Sequence, residues 1–328
     1  MRAIVINQHG GLDELTYVED FPDPPLGSGE VLVRVRAVSL NYLDIFSRRG
    51  MPGITIPLPH ISGGDIAGEI VAVDDQVRGR ATGDRVLIYP IDIQRGRMLG
   101  ENSNGGMCEF ITVPAGLLTA IPEAVSFEQA AALPVAYGTA LRMVKTRGQV
   151  QKDEKVLILG ASGGVGTGVV QIAKMLGAHV VACASSASKL QRLRELGADD
   201  VIDYAADDLL ETCVKRFGKR PFDVVINFTG GDTWVPSLKL LRYQGRLLTC
   251  GATAGYDPVE DIRHIWTFEL NIQGSNGWLK EDQIELLDLV AAGKLTPIID
   301  KVLPLAEARE AERLLEDREV FGKVVLVP

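Results

Sequence analysis

The chain has 328 residues, a formal net charge of −9 and 46% hydrophobic residues. That length gives room for two domains and a large core, and the composition is that of an ordinary soluble globular protein. The acidic balance argues against a nucleic-acid partner, which needs a basic face, and offers no polybasic signal for a membrane surface.

The N-terminus, MRAIVINQHGG, lacks the apolar core of a signal peptide, and no run is long enough to span a bilayer. The four cysteines, Cys108, Cys183, Cys213 and Cys250, are scattered without a CxxC pair. Cys183 and Cys250 sit in apolar runs and read as core residues. With no disulfide framework, the expected compartment is a reducing cytoplasm.

Residues 1–122 read as β structure. Short runs such as Val31–Val38, Ile66–Val73, Arg85–Tyr89 and Cys108–Val113 are separated by Gly, Pro and Asp turns, the pattern of a compact barrel-like domain. Ser126–Leu133 opens a helix, with Ser126 as N-cap and Gln129 in the capping-box position. From Lys155 the pattern alternates β and α, which predicts a parallel, doubly wound sheet over residues 123–276.

The most telling stretch lies there. Val156–Leu159 is a short apolar run that enters a glycine turn, Ser162-Gly163-Gly164-Val165-Gly166. Helical spacing follows in Val169, Val170, Ile172, Ala173 and Leu176, then a second apolar run, His179–Ala184. This is a βαβ unit of the kind that binds dinucleotides. Gly163 is expected to make the sharp turn, Gly164 to let the backbone approach a pyrophosphate, and Gly166 to let helix and strand pack closely. The N–H groups at the helix start then face the phosphates.

The end of the second strand bears on which dinucleotide. NAD-binding folds usually carry an acid there for the ribose hydroxyls. This chain has Ser185, Ser186, Ser188 and Lys189, with no acid before Glu195. Hydroxyls and a lysine can bond a ribose phosphate that an acid would repel, so NADPH is expected over NADH. Ser188 could instead cap the next helix.

Further strands are expected at Asp200–Asp203, Asp223–Asn227, Gly245–Cys250 and Asn271–Ser275, with helices around Asp207–Phe217 and Trp234–Leu241. The tail, residues 277–328, holds a helix at Glu281–Ala292, the run Lys301–Pro304, a helix at Leu305–Leu315 and a last strand, Gly322–Val327, that returns to the first domain. His60 reads as a surface or hinge residue in a proline-rich loop.

Segments along the whole chain carry a resemblance. GEVLVRVRAVSLNYLD, GGDIAGEIVAV, TGDRV, GGMCEFITVP, AALPVAYGTA, LGASGGVG and GRLLTCGATAG together resemble the medium-chain dehydrogenase/reductase superfamily. The resemblance implies an α/β protein: a GroES-like, β-barrel-type catalytic domain with a Rossmann domain, and the active site in the cleft between them. It also implies a homodimer paired through the last Rossmann strand.

Within that superfamily, zinc alcohol dehydrogenases hold a catalytic zinc through Cys, His and Cys, the soft and borderline ligands that zinc takes. The matching positions here are Asn41, Gly64 and about Val135, none of them fit for zinc. The structural-zinc lobe would lie near Ile91–Met98, which holds no cysteine. No metal is therefore expected. Without a Lewis acid, alcohol oxidation becomes difficult, whereas reduction of an activated double bond needs none.

The chain thus resembles the zinc-free quinone oxidoreductase and enone reductase branch. That resemblance places Asn41 beside the nicotinamide and substrate carbonyl, with Asp44 supporting it. Either could instead cap the following helix. Tyr42 and Tyr137 are candidate proton donors or packed walls. Phe46 and Met51 stand where relatives often carry tyrosines, a departure from quinone oxidoreductases that implies a more apolar pocket. For the cofactor the resemblance implies Thr139, Tyr204, Asn227, Thr229, Gly230, Gly251, Ala252, Thr253 and Arg318.

The expected activity is NADPH-dependent reduction of an α,β-unsaturated carbonyl or quinone, acting on a small molecule. The alternatives are an alcohol dehydrogenase, or a non-catalytic NADPH-binding sensor or structural protein.

Overall fold

A computed structural model describes residues 1–51 and 53–328, and the chain divides into two units. Met1–Val135 joins Gln283–Pro328 in one; Ala136–Asp282 forms the other.

The first unit opens with an antiparallel pair, β1 (Ala3–Val5) and β2 (Thr16–Val18). In β3 (Glu30–Ser39), Val31, Val33 and Val35 are buried while Arg34 and Arg36 are exposed. That is the two-residue period of a strand with one face in the core. There follow α1 (Tyr42–Arg49), β4 (Asp65–Val73) and β5 (Arg85–Ile88). A short hairpin, β6 (Ile91–Asp92) and β7 (Arg97–Met98), closes the stretch expected to lack a zinc lobe. Then come β8 (Phe110–Pro114), β9 (Leu118–Ala120) and α2 (Phe127–Ala131). The expected capping box on α2 is present: Gln129 N donates to Ser126 Oγ at 3.1 Å and Ser126 N to Gln129 Oε1 at 3.0 Å.

The second unit contains α3 (Thr139–Leu141), β10 (Lys155–Leu159), α4 (Gly164–Met175), β11 (His179–Ala184), α5 (Ala187–Glu195), β12 (Asp200–Asp203) and α6 (Leu209–Phe217). It continues with β13 (Phe222–Asn227), α7 (Trp234–Leu240), β14 (Leu241–Thr249), α8 (Arg263–Thr267) and β15 (Asn271–Gly274). Its strands are all parallel in the order β12-β11-β10-β13-β14-β15. This is the doubly wound order in which a dinucleotide binds at the carboxyl ends, where the order reverses between β10 and β13. The near-continuous apolar runs of β10 and β11 match burial on both sheet faces. β15 lies at the sheet edge with Ile272 exposed.

The tail adds α9 (Lys280–Ala291), β16 (Ile299–Pro304), α10 (Ala308–Glu316) and β17 (Lys323–Val327). β17 returns to the first unit's sheet, as expected, placing Val325 opposite Ser39 and Leu326 opposite Val38. The sheet runs β16-β17-β3-β4-β5-β9, with β8 also on β3. Gly322, at φ +93°, makes the entry into β17, where a Cβ would run into the Ile298 carbonyl. No helix among the described residues is long and apolar enough to cross a membrane.

Two expectations about single residues change. His60 is 1% exposed rather than superficial, pairing with Ile6 and placing Nε2 3.2 Å from the Gly100 carbonyl. Cys250 is only half-buried, whereas Cys183 lies in the core. Burial pushes the thiols of Cys108, Cys213 and Cys250 up to about 12 and raises Cys183 as well. A raised thiol keeps its proton at pH 8, and only the thiolate attacks. The native chain should therefore react with an aromatic disulfide reagent about a hundredfold more slowly than the urea-unfolded chain. Rapid stoichiometric labelling of the folded protein would contradict this.

Candidate active site

In the first unit, Asn41 sits at the junction of β3 and α1 and is the N-cap of α1. Asp44, at the third helical position, takes Asn41 N on Oδ2 at 2.7 Å, as an N-terminal carboxylate should. Its Oδ1 accepts Gly63 N at 2.8 Å, which pins the loop before β4 to the helix start. Asp44 is 1% exposed. Burial pushes its carboxyl up to about 7, against the pull of those two N–H donors. It is a staple beneath Asn41, joining the helix start to the Gly63 loop.

The side chain of Asn41 joins a buried knot that only folding assembles. Its Nδ2 donates to Asp65 Oδ2 at 2.8 Å, and Lys323 Nζ donates to its Oδ1 at 2.5 Å. Lys323 Nζ also meets the Leu40 carbonyl at 2.6 Å and Asp65 Oδ2 at 3.4 Å. Asp65 Oδ1 accepts Val135 N at 2.9 Å. Asp65 and Lys323 are almost wholly inaccessible, while Asn41 is half-exposed. Burial pushes the Asp65 carboxyl up and the Lys323 amine down, each opposed by the other's charge. Among the described residues, the second Nδ2 hydrogen of Asn41 has only the Ser39 carbonyl, at 3.5 Å, the outer limit of a hydrogen bond. It is the donor of this knot most available to a ligand.

Asp65 thus ties together the positions that the resemblance assigns to metal ligands, Asn41 and Val135, while Gly64 precedes it in the chain. A Cβ at position 64 would lie 2.8 Å from the Leu99 carbonyl oxygen. No side chain can project from there unless that loop moves. Among the described residues, no group of three or more His, Cys, Asp or Glu could hold a metal ion.

Tyr42 is corrected. Its hydroxyl donates to the Leu315 carbonyl at 2.9 Å, so the phenol proton is committed to α10 rather than to a substrate. Tyr137, the other tyrosine considered, is buried with its oxygen 3.3 Å from Thr167 Oγ1.

In the second unit, the turn between β10 and α4 is made differently from expectation. Gly160 carries the positive φ, +72°, and a Cβ there would press on Phe228 and Thr229. Gly163, at φ −82° and ψ 179°, is extended backbone, and a Cβ there would find nothing closer than Gly160 O at 3.8 Å. Its sharp-turn role passes to Gly160. Gly166 does what was expected: a Cβ would come within 2.6 Å of Ala161 and 2.5 Å of Gly160 O. Gly164, Val165 and Gly166 form the first turn of α4, whose N–H groups have no intrahelical acceptor. The open space at Gly163 leaves its backbone free to be approached closely. A pyrophosphate fits this donor set.

Several of the other expected cofactor residues in this unit lie on loops at the carboxyl ends of the same sheet. Ser185 follows β11, and Ser186 caps α5 by accepting Lys189 N at 3.4 Å; Ser188, considered as the cap, is displaced by Ser186. Tyr204 N bonds Ala184 O at 3.3 Å, which brings Tyr204 to this end of β11. Thr229 and Gly230 follow β13; Gly251, Ala252 and Thr253 follow β14. The two loops are joined by Ala254 N to Thr229 O at 2.7 Å and Thr253 N to Phe228 O at 3.3 Å. Thr139, in α3, is nearly buried.

The side chain of Asn227 organises the loop after β13. It is fully buried; Oδ1 accepts Thr229 N and Gly230 N, both at 2.9 Å, and Nδ2 donates to Thr233 and Ser237. Arg318 belongs to the first unit, exposed at the end of α10 with a φ of +57°.

Asp65 and Lys323 were not singled out by the sequence reading. The signal for each was faint: a charge embedded in an apolar strand run, GGDIAG and FGKVVLV.

Comparisons with known proteins bear on both units. The model of the alcohol dehydrogenase GroES-like domain matches residues 27–123, and that of zinc-binding dehydrogenase matches residues 164–292. The chain is 30% identical to a quinone oxidoreductase of Salmonella typhimurium, over 99% of each chain. A crystal structure described as an NAD-dependent alcohol dehydrogenase is 37% identical, with a TM-score of 0.94 over the full length of both chains. The 2-octenoyl-CoA carboxylase reductase CinF, solved with NADP and 2-octenoyl-CoA, is 32% identical with a TM-score of 0.86, covering 96% of this chain and 82% of that one.

Proposed function

The chain belongs to the medium-chain dehydrogenase/reductase superfamily and is an oxidoreductase of that type with a nicotinamide cofactor; from that premise we propose that it is a zinc-independent, NADPH-dependent reductase of activated C=C bonds or quinones. One observation carries the reading. The three positions that resemble zinc-ligand positions hold an amide, no side chain and a valine, and Asp65 and Lys323 knot two of them together. That knot provides a hydrogen-bond donor, and an amide, a glycine and a valine are not the residue types that zinc takes.

The donors of the Gly160–Gly166 turn would hold the pyrophosphate of NADPH, which when bound would supply a hydride for the β-carbon of an enone. The loosely engaged N–H of Asn41 would bond the carbonyl oxygen as the π electrons move onto it, and water would supply the proton that the α-carbon takes. Ser185, Ser186, Lys189 and Tyr204 hold the ribose phosphate, and the β13 and β14 loops hold the nicotinamide half.

The test is NADPH oxidation with enones, alkenals, quinones and acyl-thioesters, beside metal analysis of the purified protein. Turnover with at least one of these classes in zinc-free protein is expected. One zinc per chain, with turnover only of alcohols, would instead establish the second reading, an alcohol dehydrogenase, which the name of the 37%-identical structure favours. Lys189→Glu should weaken NADPH by about tenfold or more and leave NADH nearly unchanged, read by fluorescence titration. Equal effects on the two would overturn the NADP assignment.

A further inference from the structure

We propose that Lys323 is a positioning residue for Asn41: it fixes which end of the carboxamide is left for a ligand. This rests on the reading above in which Asn41 serves the substrate carbonyl. A carboxamide presents an acceptor at one end and donors at the other, and a half-turn of the group exchanges them. A site that must stabilise a growing negative charge on oxygen needs the donor end.

Here the choice is made by charge. The Lys323 ammonium lies 2.5 Å from Asn41 Oδ1, and the Asp65 carboxylate takes Nδ2 at 2.8 Å. Turning the amide over would set its N–H groups against an ammonium and its oxygen against a carboxylate. The ammonium has three hydrogens, and Leu40 O, Asn41 Oδ1 and Asp65 Oδ2 account for them. At 2% exposure it has no reach to a substrate of its own, so it acts through Asn41.

Both anchors are held by backbone. Lys323 N donates to Ile298 O at 2.9 Å, and Val135 N holds the far oxygen of Asp65. Withdrawal of charge from Oδ1 by the ammonium also makes the remaining N–H a better donor. The arrangement places a fixed cation one bond behind the donor rather than on the substrate.

The experiment compares the wild type with Lys323→Met, Asn41→Ala and the double variant. It reads kcat with an enone and the side-chain ¹⁵N–¹H₂ signals of Asn41, identified by their absence in Asn41→Ala. Lys323→Met should lower kcat by about tenfold or more with the KM for NADPH unchanged. In the Asn41→Ala background the same substitution should cost nothing further in kcat, since the residue through which it acts is gone. The Asn41 amide signals should move in Lys323→Met.

Losses that multiply in the double variant would overturn the proposal, as would unmoved Asn41 signals. If the wild type reduces no enone, the functional reading fails while the amide signals still decide the role of Lys323. If the methionine variant does not fold, Lys323→Gln is read by the same measurements with the same expectations, because a neutral amide imposes no charge bias on its neighbour.

Discussion

Asn41→Ala is expected to cut enone turnover by about a hundredfold or more and to leave NADPH affinity unchanged. The loss has a geometric cause. Of the two Nδ2 hydrogens, one is spent on Asp65 and the other has only a 3.5 Å contact with Ser39 O. In the proposed reaction, truncation removes that second donor from the carbonyl oxygen, where negative charge develops. The residues proposed for the nucleotide lie on the turn after β10 and on the loops after β11, β13 and β14, and Asn41 bonds none of them.

Truncation also strips an acceptor from Lys323 and a donor from Asp65, so the melting temperature should be recorded beside the kinetics. Asn41→Asp separates the two effects. It keeps an oxygen against Lys323 but has no N–H, so turnover should fall as far as in the alanine variant. Wild-type turnover in either variant would remove Asn41 from the chemistry.

Glu312→Ala is expected to cost about 3 kcal/mol of folding stability, measured by urea denaturation. The guanidinium of Arg48 is wholly inaccessible; Nε donates to Glu312 Oε2 at 2.7 Å and Nη1 to Gly10 O at 2.7 Å, and Nη2 pairs with Glu316. This clamp fastens α1, whose N-cap is Asn41, to α10. Without Glu312 a buried cation keeps only Glu316, itself partly exposed, as its charged partner. Water cannot repay the lost interaction, because Arg48 has no exposed surface. Arg48→Met combined with Glu312→Leu should recover most of the loss, since neither charge then remains to be desolvated. A single-variant cost below about 1 kcal/mol, the range of surface pairs, would show that the site admits solvent.

These expectations rest on parts of the molecule that were unequally visible in the chain. The βαβ unit was legible because it is local. Val156–Leu159, the glycine turn, the helical spacing to Leu176 and the run from His179 lie within one stretch. Each is set by nearest-neighbour sterics and by one buried face. The capping box at Ser126 and Gln129 spans three positions and was legible for the same reason. Whether Tyr42 was a proton donor or a packed wall was left open because the partner of its hydroxyl, the Leu315 carbonyl, is 273 positions away. Gly163 was given the sharp turn because spacing alone does not say which glycine takes a positive φ; that fell to Gly160.

The amino-acid order by itself determined the two kinds of secondary structure, the glycine turn between β10 and α4, and residue types other than zinc ligands at positions 41, 64 and 135. Those properties depend on residue type and short spacing, which folding does not alter. Only the tertiary structure decided how Asn41 is oriented, since its partners Asp65 and Lys323 stand 24 and 282 positions away. Hydrogen bonds and buried charges act over a few ångströms, and residues that far apart along the chain come within that range only when the last strand, β17, takes its place beside β3.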